Sequence, residues 1–237
     1  MKKIIDISII IPCYNEKQNL HEIIDKINFL KKNYTDKVEF IIVDNGSDDG
    51  SNEILKNITN PNFTTIHLNK NLGYGGAIIK GINNAKGLII AWTHGDIQCD
   101  LNDVMLAYHG NRKSLKSGNF VVKGKRINRK LINYFFSKSM SIIASLIFQK
   151  RFNEINAQPK VFHRKLIKIF EKAPVDFSLD LFLLYMAKKY HYQIIEFPVI
   201  YKKRLYGYSK GGDSILGKIK LSYRSFKYIF KLRFKIQ

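Results

Sequence analysis

Cysteine is almost absent: Cys13 and Cys99 are the only two in 237 residues. They can build neither a disulfide framework nor a paired-cysteine zinc site, and isolated thiols of this kind are expected to be small packed hydrophobes. Long apolar runs are missing as well. No stretch reaches the ~18 uncharged residues of a spanning helix, and the longest candidate, Ser139 to Gln149, is bounded by Lys138 and Lys150. Asp6 and Pro12 interrupt any signal-peptide core. The chain is therefore expected to be cytoplasmic, soluble or peripheral on the inner face of the cell membrane. No G-x-x-x-x-G-K-[ST] occurs, which excludes a P-loop. Gly73-Tyr-Gly75-Gly76-Ala-Ile78 places isoleucine where a dinucleotide fingerprint needs its third glycine, and it follows the third strand rather than the first.

Acidic side chains are scarce in one half only. Residues 1–111 hold 11 basic and 13 acidic side chains, net −2, whereas residues 112–237 hold 29 and 6, net +23. The whole carries +21, yet with 45% hydrophobic and 13% aromatic residues it is too apolar for a disordered basic tail. One domain with an appendage fits this length. Chemistry and anchoring are expected in different halves.

Short β-branched runs at 7–11, 38–43, 64–68 and 88–92 alternate with helical patterns at about 17–32, 51–58 and 75–86. This alternation predicts an α/β fold with a mostly parallel sheet, whose ligands bind beyond the carboxyl ends of the strands. The segments after the four strands are Pro12-Cys-Tyr-Asn-Glu16, Asp44-Asn-Gly-Ser-Asp-Asp-Gly50, Asn69 to Gly76 and Thr93-His-Gly-Asp-Ile-Gln98. Turn chemistry alone would explain any one of them. Together they offer Glu16, Asp44, Asn45, Asp48, Asp49, Asp96 and Gln98, hard oxygen donors suited to Mg²⁺ or Mn²⁺ and a nucleotide diphosphate.

Those loops, with Gly124-Lys-Arg126, Asn156-Ala-Gln-Pro-Lys160 and Arg204-Leu-Tyr-Gly-Tyr-Ser-Lys210, form seven collinear motifs over about residues 5–212. They resemble the family 2 glycosyltransferases of GT-A fold, and most closely the branch of polyprenol-phosphate (dolichol-phosphate) mannose or glucose synthases. The resemblance implies a Rossmann-like, mostly parallel sheet flanked by helices. It implies that Pro12, Tyr14, Glu16, Val43, Asp44 and Asn45 cradle the nucleotide beside His94 and Gly95. Asp96 and Gln98 would bind Mg²⁺ or Mn²⁺, and Arg126, Arg204 and Lys210 would neutralise phosphates. Two positions depart from the family pattern. His94 stands where D-x-D has its first aspartate, so it is open to metal binding, nucleotide contact or space filling. Asn45 replaces a second aspartate near the base, which leaves both GDP- and UDP-sugars open.

Residues 112–172 hold 16 Lys and Arg against Glu154 and Glu171 alone. Leu131, Ile132, Phe135, Phe136, Met140, Ile143 and Ile147 recur at helical spacing, which predicts an interfacial amphipathic helix over about 128–149 within a catalytic domain of residues 1–212. Residues 213–237 are expected to add a basic amphipathic helix, with Lys220, Arg224, Lys227, Lys231 and Lys235 in one stripe facing an anionic membrane. Packing on the sheet or an oligomer contact is the structural alternative. Nucleic acid is disfavoured, because it leaves the acidic loops without a role.

The expected activity is a metal-dependent, inverting transfer of a sugar from its nucleotide diphosphate to a polyprenyl phosphate. Transfer to a hydroxyl of a lipid-linked saccharide is the alternative, with Asp180 as base or merely as a helix-end charge. A catalytically silent membrane-bound scaffold is the non-enzyme reading.

Overall fold

The structure, a computed structural model, describes residues 5–128, 131–202 and 215–235. Strands β1 (Ile7–Cys13), β2 (Val38–Asp44), β3 (Phe63–His67) and β4 (Ile89–Trp92) alternate with helices α1 (Leu20–Asn33), α2 (Ser51–Asn57) and α3 (Gly73–Asn84). The βαβ series expected from the sequence is thus present, with element ends shifted by up to three residues. After α4 (Leu101–Gly110) and α5 (Arg112–Ser117) come β5 (Phe120–Ile127), α6 (Leu131–Phe148), β6 (Lys160–His163), α7 (Leu179–Lys189), β7 (Gln193–Ile200) and α8 (Ile215–Lys235). The seven strands form one sheet in the order β3-β2-β1-β4-β6-β5-β7. Only β6 runs against its neighbours, so the carboxyl ends of β1, β2, β4 and β5 share one edge.

Side chains alternate across the strands, which explains why the central runs are continuously apolar. Ile9, Ile11, Phe40 and Ile42 pack under α1 and α4 on one face. Ile10, Ile41, Val43 and Trp92 pack on the other with α3, α6, α7 and α8. Each such fully buried side chain contributes roughly 1.5–3 kcal/mol. The glycines of α3 serve close packing rather than phosphate binding: Gly76 donates its N–H to the Val175 carbonyl at 3.0 Å, and a Cβ at Gly75 would lie 2.5 Å from the Pro174 carbonyl oxygen.

Helix α6 forms where expected, but its faces divide differently. Met140, Ala144, Ile147 and Phe148 pack into the core, while Leu131, Phe135, Ile142 and Leu146 stay 86, 68, 50 and 73% exposed. Helix α8 lies against α6, with Ile229 and Leu232 in the shared core and Tyr223, Phe230 and Phe234 exposed. Lys227 and Lys231 are on its exposed surface; the side chains of Lys220, Arg224 and Lys235, and the expected boundary at 212, lie outside what is described. No helix among the described residues is long and apolar enough to cross a membrane.

Candidate active site

The loops after β1 and β2 are zipped together by their own polar side chains. Asn15 donates its backbone N–H to Ser47 Oγ (3.0 Å) and its side-chain amide to Asp48 Oδ1 (2.7 Å), and Asp48 N–H returns a bond to Asn15 Oδ1 (3.1 Å). Asp49 accepts from Lys17 N–H (2.9 Å) and from the backbone and hydroxyl of Ser51. Burial alone would raise the Asp49 carboxyl, but these hydrogen bonds hold it below the ordinary value. Asp48 and Asp49 therefore build the loops and are not spare metal ligands.

Asn45 is buried where three loops meet. Its Oδ1 accepts from Leu72 N–H at 2.9 Å, and its amide donates to Asn71 Oδ1 (3.0 Å) and the Gly73 carbonyl (3.2 Å). The partners span the loop after β3 and the first residue of α3, so this side chain fastens that loop to the end of β2. Asp44 is also wholly buried, with Oδ1 accepting from Ser47 N–H at 3.1 Å. Val43 pairs with Pro12 in the sheet, and its side chain is enclosed in the core, so only its backbone borders the site. Tyr14 and Glu16 remain at the rim, Glu16 accepting from the Asn19 amide.

The turn after β4 carries the acidic candidate. A Cβ at Gly95 would lie 2.7 Å from the Pro12 carbonyl oxygen, so only glycine lets this turn close on β1. Asp96, partly exposed, accepts from Gln98 N–H at 3.2 Å, with Ile97 between them at φ 53°. The Gln98 carboxamide is engaged at both ends: Oε1 accepts from Tyr201 OH at 2.8 Å, and Nε2 donates to the Lys202 carbonyl at 3.3 Å. Gln98 thus ties the turn to the end of β7, with Tyr201 taking one acceptor position of its Oε1. Tyr201 carries Arg126 on its ring at 5.4 Å, and Arg126 Nε donates to Glu154 Oε2 at 2.6 Å. Asp96, Gln98 and Arg126 are therefore brought together, through two residues that no motif marks. The available signals were that Glu154 is one of two acids in a basic stretch and that Tyr201 ends an apolar strand. Arg204 and Lys210 lie outside the described residues.

His94 joins an aromatic stack. Its ring centroid is 5.6 Å from that of Tyr74, which lies parallel to Phe177 at 5.0 Å. Below the stack Asp180 is only 1% exposed. Its oxygens accept from Tyr74 OH (3.2 Å), Trp92 Nε1 (3.3 Å) and Gln158 Nε2 (3.1 Å), and Lys160 Nζ stands 3.2 Å away. Asp180, an acid in the first turn of α7, is accordingly also the hub of a buried network. Burial pulls the Lys160 ammonium below its ordinary value while Asp180 opposes that shift. Burial, and then the charge of Asp180, raises the Tyr74 phenol. The thiols are inert: burial, followed by nearby carboxylates, pushes Cys13 up and Cys99 up to about 12.

Among the described residues no three His, Cys, Asp or Glu side chains group closely enough to hold a metal between them. Asp96 supplies a hard, partly exposed carboxylate at the sheet edge, hydrogen-bonded to its own turn. That donor fits a divalent cation which takes one or two carboxylates and completes its shell with substrate phosphates and water.

A mostly parallel sheet with a carboxylate turn and a fixed guanidinium at its carboxyl edge is an open α/β domain whose ligand site lies beyond the strand ends. The model for glycosyl transferase family 2 matches residues 8–163, well over half of the chain, and the chain belongs to that family. It is 27% identical over 224 residues to the undecaprenyl-phosphate 4-deoxy-4-formamido-L-arabinose transferases of Yersinia pestis and Yersinia pseudotuberculosis, covering 92% of this chain and 65% of theirs. The chain thus spans about two thirds of the length of these curated relatives. Among solved structures, glucosyl-3-phosphoglycerate synthase from Mycobacterium tuberculosis, bound to Mn²⁺, UDP and its product, superposes with a TM-score of 0.71 at 16% identity, over 97% of this chain and 79% of that one. A mannosyltransferase from Pyrobaculum calidifontis with GDP-mannose and Mn²⁺ gives 0.68 at 18% identity, over 99% and 65%. These likenesses bear out the expected GT-A fold.

Proposed function

We propose that the protein transfers a sugar from a nucleotide diphosphate sugar to a polyprenyl phosphate at the cytosolic face of a membrane. The observation that carries this reading is the wall formed by Asp96, Gln98, Tyr201, Arg126 and Glu154, which sets a carboxylate and an oriented guanidinium on one sheet edge. The undecaprenyl-phosphate relatives and the apolar stripe exposed on α6 support the acceptor. Mg²⁺ or Mn²⁺, held by Asp96 with the donor's phosphates, would offset charge on the leaving diphosphate.

Arg126 is preorganised for phosphate. Glu154 fixes its Nε and Tyr201 its plane, so the side chain is ordered before substrate arrives and adds charge-assisted contacts where negative charge grows. The acceptor phosphate is ionised near neutral pH, so orientation matters more than a base. Transfer to a hydroxyl would need a base, and both Asp180 oxygens are engaged inside the protein. Arg204 and Lys210 complete the phosphate set in this reading.

The test is a panel of UDP- and GDP-sugars incubated with polyprenyl phosphate and Mn²⁺, with products read by mass spectrometry. Asp96→Ala is expected to lower transfer about a hundredfold or more with little change in melting temperature. Absence of transfer from every donor, or an Asp96→Ala variant equal to wild type, would overturn the proposal and favour the scaffold reading.

A further inference from the structure

An open cleft of about 620 Å³ lies away from the loops of β1, β2 and β4, between α6, the segment 149–153, the end of α7 and β7. Its size falls in the range of ligand pockets. Ile142, Leu146, Phe152 and Ile194 supply apolar wall, and Lys138, Lys150, Arg151 and Lys188 supply charge. Glu196 is the single acid among the described lining residues, and Lys123 at 3.2 Å and Lys125 at 3.3 Å already neutralise it. The other four cations have no ion pair among the described residues. Four positive charges beside a greasy wall, with no carboxylate left to answer them, fit an anionic amphiphile.

Where the cleft opens decides the source of that amphiphile. Ile142 and Leu146 belong both to the cleft and to the exposed stripe that Leu131 and Phe135 continue along α6. These residues recur at spacings of four, seven and four, so they share one helical face. Lys138 and Ser139 lie on that face between Phe135 and Ile142, so the stripe reaches the cleft past one of its cations. This arrangement gives a lipid chain lateral entry from a bilayer and its phosphate a partner at the mouth, which a soluble anion would not use. We propose that this cleft binds one anionic phospholipid, its chains along Ile142, Leu146 and Phe152 and its phosphate among Lys138, Lys150, Arg151 and Lys188. The site goes beyond the transfer reaction, and none of these residues belongs to the wall around Asp96.

The test counts lipids bound to the purified full chain in neutral detergent, by native mass spectrometry, with phosphatidylglycerol or phosphatidylcholine added. Wild type is expected to retain one phosphatidylglycerol at least tenfold more tightly than phosphatidylcholine. Arg151→Glu with Lys188→Glu should erase that preference. Lys116→Glu with Lys172→Glu, an equal charge change at exposed positions outside the cleft, should alter it less than twofold. Ile142→Trp narrows the cleft at unchanged charge and should weaken retention at least fivefold. Equal retention of both lipids, equal loss in the two charge-reversed proteins, or one-for-one displacement by polyprenyl phosphate would overturn the proposal. Sugar transfer to polyprenyl phosphate in detergent, measured on the same proteins, reports the catalytic reading separately.

Discussion

The two halves of the molecule use polar side chains in opposite ways. Around β1 to β3, Asn15, Asn45, Asp48 and Asp49 bond to neighbouring loops and hold them in place. Around β5 to β7, the charges inside the protein are paired: Lys160 with Asp180, Lys123 with Glu196 and Arg126 with Glu154. The surplus cations stay at the surface. A near-neutral half thus builds a rigid platform from hydrogen bonds, and a strongly basic half keeps a few desolvated pairs while its remaining charge is available to anionic ligands. Acidic loops in such a sequence are first of all architecture, and Asp96 stands out because it is accessible and has few partners.

The largest expected effect tests the buried pairs. Asp180→Ala leaves the wholly buried Lys160 without a counter-ion and Tyr74, Trp92 and Gln158 without their acceptor. Removing one partner of a buried pair costs about 3–5 kcal/mol, roughly 10 °C in melting temperature for a chain of this size. Lys160→Met combined with Asp180→Leu should recover part of the loss, the share due to the ion but not that due to the donors. Calorimetry or circular dichroism checks both. An Asp180→Ala protein melting within 2 °C of wild type would remove the pair from the account of this half.

Gly124→Ala comes next, at the junction of β5 with the loop before β6. A Cβ there would overlap the Gln158 carbonyl oxygen, while Gly124 N–H bonds the Pro159 carbonyl at 2.8 Å. Strand or loop must move, at a cost of about 1–3 kcal/mol. Arg126 follows two residues later, so transfer should fall along with stability. Unchanged transfer with a lowered melting temperature would show that the Arg126 wall is not coupled to this contact.

How legible the molecule is from its sequence follows the same division. The β-branched runs are readable because strands buried on both faces must be apolar throughout, and the loop chemistry is readable because it falls at strand ends. Which loop residues remain available to substrate is not readable, since that depends on cross-loop partners such as Asn45 with Asn71, far apart in sequence. Asp180 shows the same limit. Its place in the first turn of α7 suggests a base or a helix-end charge, yet its surroundings are set by Tyr74, Trp92, Gln158 and Lys160, assembled from three other segments. The split of α6 into an inward face with Met140 and Ile147 and an outward face with Ile142 and Leu146 likewise depends on how α7 and α8 pack against it.

The smallest effect probes the acidic half through Asp103, in the first turn of α4. Asp100 nearby is stabilised as a carboxylate: burial opposes this, but Asn102 N–H, Lys202 and Lys26 outweigh it and hold it below the ordinary value. At Asp103 the balance reverses: burial, followed by the charge of Asp100, outweighs Lys202 and a backbone hydrogen bond and raises it to about 6. Between pH 4 and 6 the folded chain then binds more protons at Asp103 than the unfolded chain does. Stability contributed at this position is therefore present below pH 4 and lost as pH rises through 6. Asp103→Asn removes the penalised charge, so at pH 7 the variant should be more stable than wild type. Partial exposure and solvent screening keep the gain below about 1 kcal/mol, a degree or two in melting temperature. The gain should shrink to nothing at pH 4, where Asp103 is protonated in the folded wild type. A variant less stable than wild type at pH 7 would mean that the α4 dipole or Lys202 satisfies this carboxylate after all, and that the near-neutral half balances its charges as fully as the basic half does.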